Sequence, residues 1–132
     1  MAKELYISPL FSDGYITNYW RLEGNSNDSK STNNGTDTSM SYGTDYGKFG
    51  QGGLFSGSGY IRLSPTVLPL NAVPGSMCCW VKTSDATARQ RAIIGYGTGA
   101  AGKPIRFLDM LANGKLYTES GSGNDAITST KD

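Results

Sequence analysis

Oxygen-bearing side chains crowd into one stretch of the chain, residues 25–52, which contains almost no apolar residue. Carboxylate and amide oxygens are the ligands that a hard cation such as Ca²⁺ prefers, and tyrosines offer flat faces for stacking against a sugar ring. The candidate cation ligands are Asn25, Asn27, Asp28, Asn33, Asn34 and Asp37, and the candidate stacking residues are Tyr42, Tyr46 and Tyr60. A competing interpretation is that these Asn and Asp residues cap turns through their own backbone, and that the exposed tyrosines need no ligand.

The residues needed for catalysis are largely missing. The chain has no histidine, which removes the usual Ser-His-Asp and Cys-His arrangements and any zinc site that contains histidine. A glycosidase would need two carboxylates that converge on one bond, but the acidic residues are scattered and no predicted strand places two of them on one face. We therefore expect that the protein is not an enzyme.

The two cysteines, Cys78 and Cys79, are neighbours in sequence. A disulfide between adjacent residues closes a strained ring, so we expect both thiols to be free. We interpret them as small apolar side chains of a strand, one facing inward and the other outward.

Length and composition place the chain among globular proteins of one domain. Its 132 residues suffice for a single core, which predicts an N-terminal arm over 1–14 and one β-domain over 15–132. The net charge of +1 comes without a basic cluster, so we expect no nucleic-acid partner. The longest apolar run is far shorter than the ~20 residues of a membrane span, and the N-terminus lacks the apolar core of a signal peptide.

Short strand-like runs recur along the chain, and each ends at glycine, proline or asparagine. They lie at residues 15–22, 53–55, 60–63, 76–82, 92–96, 105–111, 115–118 and 126–129. No segment has helical periodicity over three turns with a cap and a stop. Frequent turns without helices are typical of an all-β sandwich or barrel.

Two of these runs allow sharper predictions. The segment 76–82 is apolar on both faces, which predicts a central strand with Trp80 buried as a core anchor. Asn113-Gly114 lies between two strand-like runs and predicts a β-hairpin closed by a type I′ turn, which needs positive φ at both residues.

Taken in order, several motifs resemble the laminin-G-like, concanavalin A-like lectin/glucanase superfamily. They are "YWRLEGNSNDSKSTNNGTD", "GKFGQGGLFSGSGYIRL", "SMCCWVKT", "AIIGYG" and "NGKLY", and they cover residues 19–117. The resemblance implies a jelly-roll sandwich of two antiparallel sheets. It also implies a calcium site in some members, for which Asp28, with Asn27 beside it, lies in the matching loop. Within the polar stretch we then expect ordered loops, an edge strand that begins at 33–36, and a turn at 48–52 with Phe49 packed inward.

The chain departs from the family pattern after the "NGKLY" hairpin, where the family continues with a strand bearing Trp-His and further strands. A jelly roll without these strands leaves sheet edges open, and open edges template pairing with other chains. The sequence thus predicts either a piece of a longer protein or association with other copies, with the candidate edges at 33–38 and 126–129.

Two functions follow as expectations. The first is a non-catalytic carbohydrate-binding or adhesion module on a virion or cell surface, with Asn33, Asn34, Tyr42, Tyr46 and Tyr60 as ligand-binding residues and a glycan or cell-surface polysaccharide as partner. The alternative is a structural or decoration protein of a particle, which oligomerises through its sheets or binds a virion scaffold protein and takes no glycan.

Overall fold

The computed structural model describes residues 14–65, 75–83, 91–97, 105–111, 113–121 and 125–129. Within these ranges every regular element is a β-strand, and every strand pair is antiparallel. The all-β prediction is therefore confirmed for the described residues. The arm predicted at 1–14 lies outside them, apart from Gly14.

The chain divides into two compact units, Met1–Val67 and Leu68–Asp132, and each is described by itself. No helix among the described residues is long and apolar enough to cross a membrane.

The first unit contains a two-stranded antiparallel sheet. Strand β1 runs over Thr36–Gly43 and pairs with β2, which runs over Gly52–Arg62. The predicted strands at 53–55 and 60–63 are thus one strand, and the edge strand expected to begin within 33–36 begins at Thr36. The prediction of a strand at 15–22 was wrong, because within the described residues this segment pairs only through a single bridge between Trp20 and Asp28.

An irregularity interrupts this sheet where the register shifts between Thr38 and Met40. Ser39 adopts a φ of 51°, and the partner strand loops out over residues 56–59. Glycine is needed there, since a Cβ on Gly59 would lie 2.8 Å from the Ser39 carbonyl oxygen. One residue of β1, Ser39, thus stands opposite four residues of β2, and the alternation of side chains along β1 reverses at this point, so the irregularity decides which residues share a face.

The second unit contains a four-stranded sheet in the order β3-β4-β5-β6. Its strands run over Arg91–Gly97, Ile105–Met110, Leu116–Gly121 and Asp125–Thr128, close to the predicted positions. Cross-strand packing brings the rings of Phe107 and Tyr117 within 5.6 Å, and it buries Asp109 opposite Tyr117. Of the predicted edges, the first overlaps β1 and the second overlaps β6, and both strands lie at the edge of their sheets.

The hairpin predicted at Asn113-Gly114 joins β4 to β5, but its turn is not type I′. Only Gly114 has positive φ, at 77°, and its amide donates to the Leu111 carbonyl at 2.9 Å. The Asn113 side chain instead accepts a hydrogen bond from the Lys115 amide. A three-residue loop that ends in a left-handed glycine is the next most common hairpin connection.

Three burial predictions were wrong. Residues 75–83 form no strand, and Trp80 in that segment is 73% exposed. Cys78 and Cys79 are free, as predicted, but both are exposed, whereas one was expected to face inward. Phe49, expected to pack inward, is 45% exposed. Apolar alternation shows that a segment can form a strand, but burial requires a paired strand and a covering layer, and neither covers 75–83 within the described residues.

Candidate functional site

The carboxylate of Asp28 is the centre of a hydrogen-bond network that orders the polar loop before β1. The residue is only 7% exposed. One oxygen accepts hydrogen bonds from the backbone amides of Tyr19 (3.0 Å), Lys30 (2.9 Å) and Ser31 (3.2 Å). The other accepts from Asn18 Nδ2 at 2.7 Å and from the Ser31 hydroxyl. Donors therefore surround both oxygens of this carboxylate.

The hydrogen bonds to the carboxylate determine the charge state of Asp28. Burial by itself raises the pKa of the carboxyl, but the hydrogen bonds from Ser31, the Tyr19 amide, Asn18 and the Lys30 amide favour the charged form. Together they outweigh burial and hold the pKa well below its usual range. Asp28 is thus a charged cap inside the loop, and the loop folds around it.

The neighbouring amide side chains take part in the same loop structure. Asn34 Oδ1 accepts the Asp28 amide at 3.0 Å, and the Asn33 carbonyl accepts the Trp20 indole N–H at 2.9 Å. The Asn33 side chain donates to the Ser31 hydroxyl at 3.1 Å. Asn33 and Asn34, which the sequence suggested as ligand-binding residues, are therefore engaged in holding the loop.

The arrangement does not fit a calcium ligand. A carboxylate has about four acceptor positions, and five donors already approach those of Asp28. Asn27 is exposed, and its amide donates to Asn25 Oδ1. Among the described residues, no group of three or more acidic, His or Cys side chains could hold a metal ion. The calcium expectation itself stays a prediction.

One face of the β1–β2 sheet, the inner face, consists of Asp37, Met40, Tyr42, Gly53, Phe55 and Ile61. A Cβ on Gly53 would lie 3.0 Å from Met40 Cε and 3.5 Å from both Tyr42 Cε1 and Leu22 Cδ1, so the loop before β1 lies against this face. The Tyr42 hydroxyl donates to Asp37 Oδ2 at 2.7 Å. Burial, and then the hydrogen bond to the Asp37 carboxylate, raise the pKa of Tyr42 to about 12. The hydrogen bond to Asp37 therefore fixes the Tyr42 side chain on the inner face of the sheet.

The opposite face, the outer face, carries Thr36, Thr38, Ser41, Leu54, Tyr60 and Arg62. Directly opposed residues share a face, which places Tyr60 with Thr38 and Leu54 with Ser41. Tyr60 is 43% exposed, and Leu54 is exposed beside it. The outer face thus presents aromatic and apolar surface among hydroxyl groups, on a backbone that the strand ladder holds in place.

Arg62 adds a cation to the outer face. Its guanidinium carbon lies 5.6 Å from the centre of the Tyr60 ring, two residues away on the same strand. A cation–π contact of this kind at an exposed site stabilises by about 0.5–1 kcal/mol. The contact holds the arginine side chain against the ring, and Tyr60 as a whole is still 43% exposed.

Tyr46 extends the same surface at the other end of the hairpin. A Cβ on Gly43 would point to the outer face and would meet the Tyr46 ring at 3.4 Å. The loop that carries Tyr46 is fixed by Glu23, whose Oε2 accepts the Gln51 amide at 3.1 Å. Gly43 and Tyr60 lie about 15 Å apart at ~3.3 Å per strand residue, so the two tyrosines flank an elongated surface.

The structure therefore separates the five predicted ligand-binding residues. It places Tyr46 and Tyr60 on the outer face, Tyr42 on the inner face, and Asn33 and Asn34 in the loop. Sequence reasoning missed Arg62, although "YIR" puts it two residues after Tyr60, at the spacing that shares a strand face. It also missed Glu23, whose contact spans 28 residues and has no local signal.

Comparisons of the chain with protein-family models, with curated proteins and with solved structures give no significant match.

Proposed function

We propose that this protein is a non-catalytic carbohydrate-binding module that holds a glycan on the outer face of the β1–β2 hairpin. The observation that carries the proposal is the composition of that face. Tyr60 and Tyr46 offer aromatic rings, Thr38 and Ser41 offer hydroxyl groups, and all of them lie on or against one paired sheet. Sugars have both apolar C–H faces and hydroxyl edges, so a site that combines rings with small polar groups suits them.

The different roles of the polar loop and of the outer face in the first unit support this proposal. The charged and amide groups of the loop are used for folding, through Asp28, Asn34 and the Trp20–Asn33 contact. Among the described residues, the side chains of the outer face make no hydrogen bond that holds the loop. Binding side chains are commonly presented by a part of the protein that other residues hold rigid. The resemblance to lectin-like jelly-roll domains adds a sandwich of two sheets and a place on a virion or cell surface, as parts of the same proposal.

A glycan array followed by titration of the best binder tests the proposal. We expect Tyr60→Ala to weaken binding about tenfold, since a lost aromatic contact of about 1.4 kcal/mol has that effect. Tyr15→Ala is the matched control, because Tyr15 is 86% exposed but lies outside the hairpin. A flat array, or equal losses in the two variants, would rule out the outer face as a glycan site.

A second candidate function, self-association into a particle, rests on a different observation. Trp80 and Val81 are exposed neighbours, at 73% and 53%, and strands β1 and β6 are sheet edges as far as the described strands extend. Exposed apolar surface and open edges both favour contacts with other chains. The mass of the native protein at micromolar concentration distinguishes this candidate from a monomeric binding module.

A further inference from the structure

We propose that Arg62 and Tyr60 form an acidic-sugar subsite, so that the outer face selects glycans that carry carboxylates, such as polyuronates. This inference rests on the proposed function and narrows its ligand from glycans in general to one chemical class. The residues that carry it are the arginine, the ring it contacts, and the threonines opposite them in the ladder.

The first step is the charge of the outer face. Among its ladder positions, from Thr36 to Gly43 and from Gly52 to Arg62, arginine is the only charged residue, and no carboxylate stands beside it. The nearest acidic residue in sequence register, Asp37, belongs to the inner face and accepts the Tyr42 hydroxyl. Within the described residues Arg62 makes no ion pair, and its guanidinium group makes a cation–π contact with Tyr60. In the part of the chain that the structure describes, the face therefore carries a positive charge that no anion of the same face offsets.

The second step is the shape of the guanidinium group. It is planar and has five N–H donors, which match the two oxygens of a carboxylate in a bidentate pair. The Tyr60 ring supports the group on one side at 5.6 Å. Less side-chain entropy is then lost on binding, because the arginine already has a preferred position.

The third step concerns the neighbours that would contact the rest of the sugar. In the ladder, Thr36 stands opposite Arg62 and Thr38 stands opposite Tyr60. Directly opposed side chains lie about 5 Å apart, so two hydroxyl groups flank the arginine and the ring. They can exchange hydrogen bonds with sugar hydroxyls while the guanidinium binds the carboxylate.

The number of charges favours an acidic sugar over a nucleic acid. Nucleic-acid binding depends on several basic side chains that neutralise successive phosphates. The outer face offers one cation beside aromatic and hydroxyl groups. One guanidinium suits a polymer with one carboxylate on each sugar, whose remaining surface is neutral.

A pair of probes that differ only in charge tests the inference. Oligogalacturonate is compared with its methyl ester, which keeps the sugar ring but removes the negative charge. We expect the acid to bind at least tenfold more tightly than the ester at low ionic strength. The difference should shrink as salt is added, because the pair is exposed and screened.

Variants assign the effect to the subsite. Arg62→Gln should abolish the preference for the acid, and Arg62→Lys should restore part of it, since lysine keeps the charge but loses the bidentate fork. Lys82→Gln is the control, because this lysine is exposed but lies outside the hairpin. Circular dichroism and thermal unfolding confirm that each variant is folded.

The outcomes separate this inference from the proposed function. Equal affinity for acid and ester, or a preference that survives Arg62→Gln, overturns the acidic subsite and leaves glycan binding intact. A glycan array without any binder overturns both. Loss of the preference in Lys82→Gln alone would place the positive subsite elsewhere and would also overturn the inference.

Discussion

The indole nitrogen of Trp20 donates a hydrogen bond to the backbone carbonyl of Asn33 at 2.9 Å, across thirteen residues of sequence. The contact closes the polar loop whose centre is the Asp28 carboxylate. The same loop packs against the inner face of the β1–β2 sheet through Leu22. This relationship connects the folding of the loop to the position of the hairpin that carries the proposed site.

Replacing Trp20 tests the importance of that closure. We expect Trp20→Phe to lower the free energy of unfolding by about 1 kcal/mol, because the Asn33 carbonyl loses its partner. Trp80→Phe is the control, since Trp80 is 73% exposed and exposed substitutions usually change stability by less than ~0.5 kcal/mol. Urea denaturation measures both. Equal effects for the two variants would show that the indole contact contributes nothing.

Asp28 predicts how stability depends on pH. Its pKa in the folded protein lies below the value of about 4 in the unfolded chain. The stabilisation is therefore fully present above pH ~4 and is lost as the pH falls towards the folded pKa. Asp28→Asn should cost about 1.5–3 kcal/mol at pH 7, as expected for hydrogen bonds to a charged group.

The measurement is the difference in unfolding free energy between the protein and Asp28→Asn, taken at several pH values. This difference should shrink below pH 4. A difference that stays constant from pH 7 to pH 2 would mean that the charge of Asp28 does not stabilise the loop.

A larger residue in place of Gly52, at the start of β2, should clash with the backbone. A Cβ on Gly52 would lie 2.5 Å from the Tyr46 carbonyl oxygen, and backbone atoms cannot move aside easily. We expect Gly52→Ala to destabilise by about 1–3 kcal/mol. Gly53→Ala should cost less, because its Cβ would meet the flexible end of Met40 at 3.0 Å. The opposite order of melting temperatures would contradict the described path of the 44–51 loop.

If the loop keeps the described hydrogen bonds, calcium should not raise the melting temperature through Asp28. To bind a cation, Asp28 would have to give up hydrogen bonds that now satisfy both oxygens. A site filled at 100 times its dissociation constant would add about 2.7 kcal/mol of stability, so thermal unfolding with calcium or with a chelator detects it readily. A calcium-dependent rise that Asp28→Asn removes would show that the loop rearranges into a metal site.

Because Trp80 is exposed, we expect that replacing it weakens self-association and has little effect on folding. We expect Trp80→Ala to change the free energy of unfolding by less than about 0.5 kcal/mol, since the side chain is largely outside the core. Any oligomer that buries the Trp80–Val81 surface should weaken. Sedimentation of both proteins at several concentrations measures this. If the protein is strictly monomeric, the prediction of self-association is wrong. If Trp80→Ala causes a large loss of stability, Trp80 is part of the core after all.

Local signals in the sequence determined much of the secondary structure. Alternating β-branched and aromatic residues with glycine turns located β3, β4 and β6, and Asn113-Gly114 located the hairpin between β4 and β5. These features depend on neighbours in the chain, since strand propensity and turn chemistry act over a few residues. The polar composition around Asp28 likewise predicted ordered loops, but it left both a calcium ligand and a turn cap open as the role of the carboxylate.

The tertiary structure decided which side chains are available to a ligand. Asn34 and Tyr60 looked equivalent as candidate ligand groups, but Asn34 accepts the Asp28 amide while Tyr60 stands on the outer face. The bulge at Ser39 reverses the alternation of β1 and so brings Asp37 and Tyr42 to one face. No local rule predicts an irregularity in which one residue of β1 stands opposite four residues of β2. Trp80 shows the same limit, because an apolar strand pattern carries no information about whether another strand pairs with it and covers it.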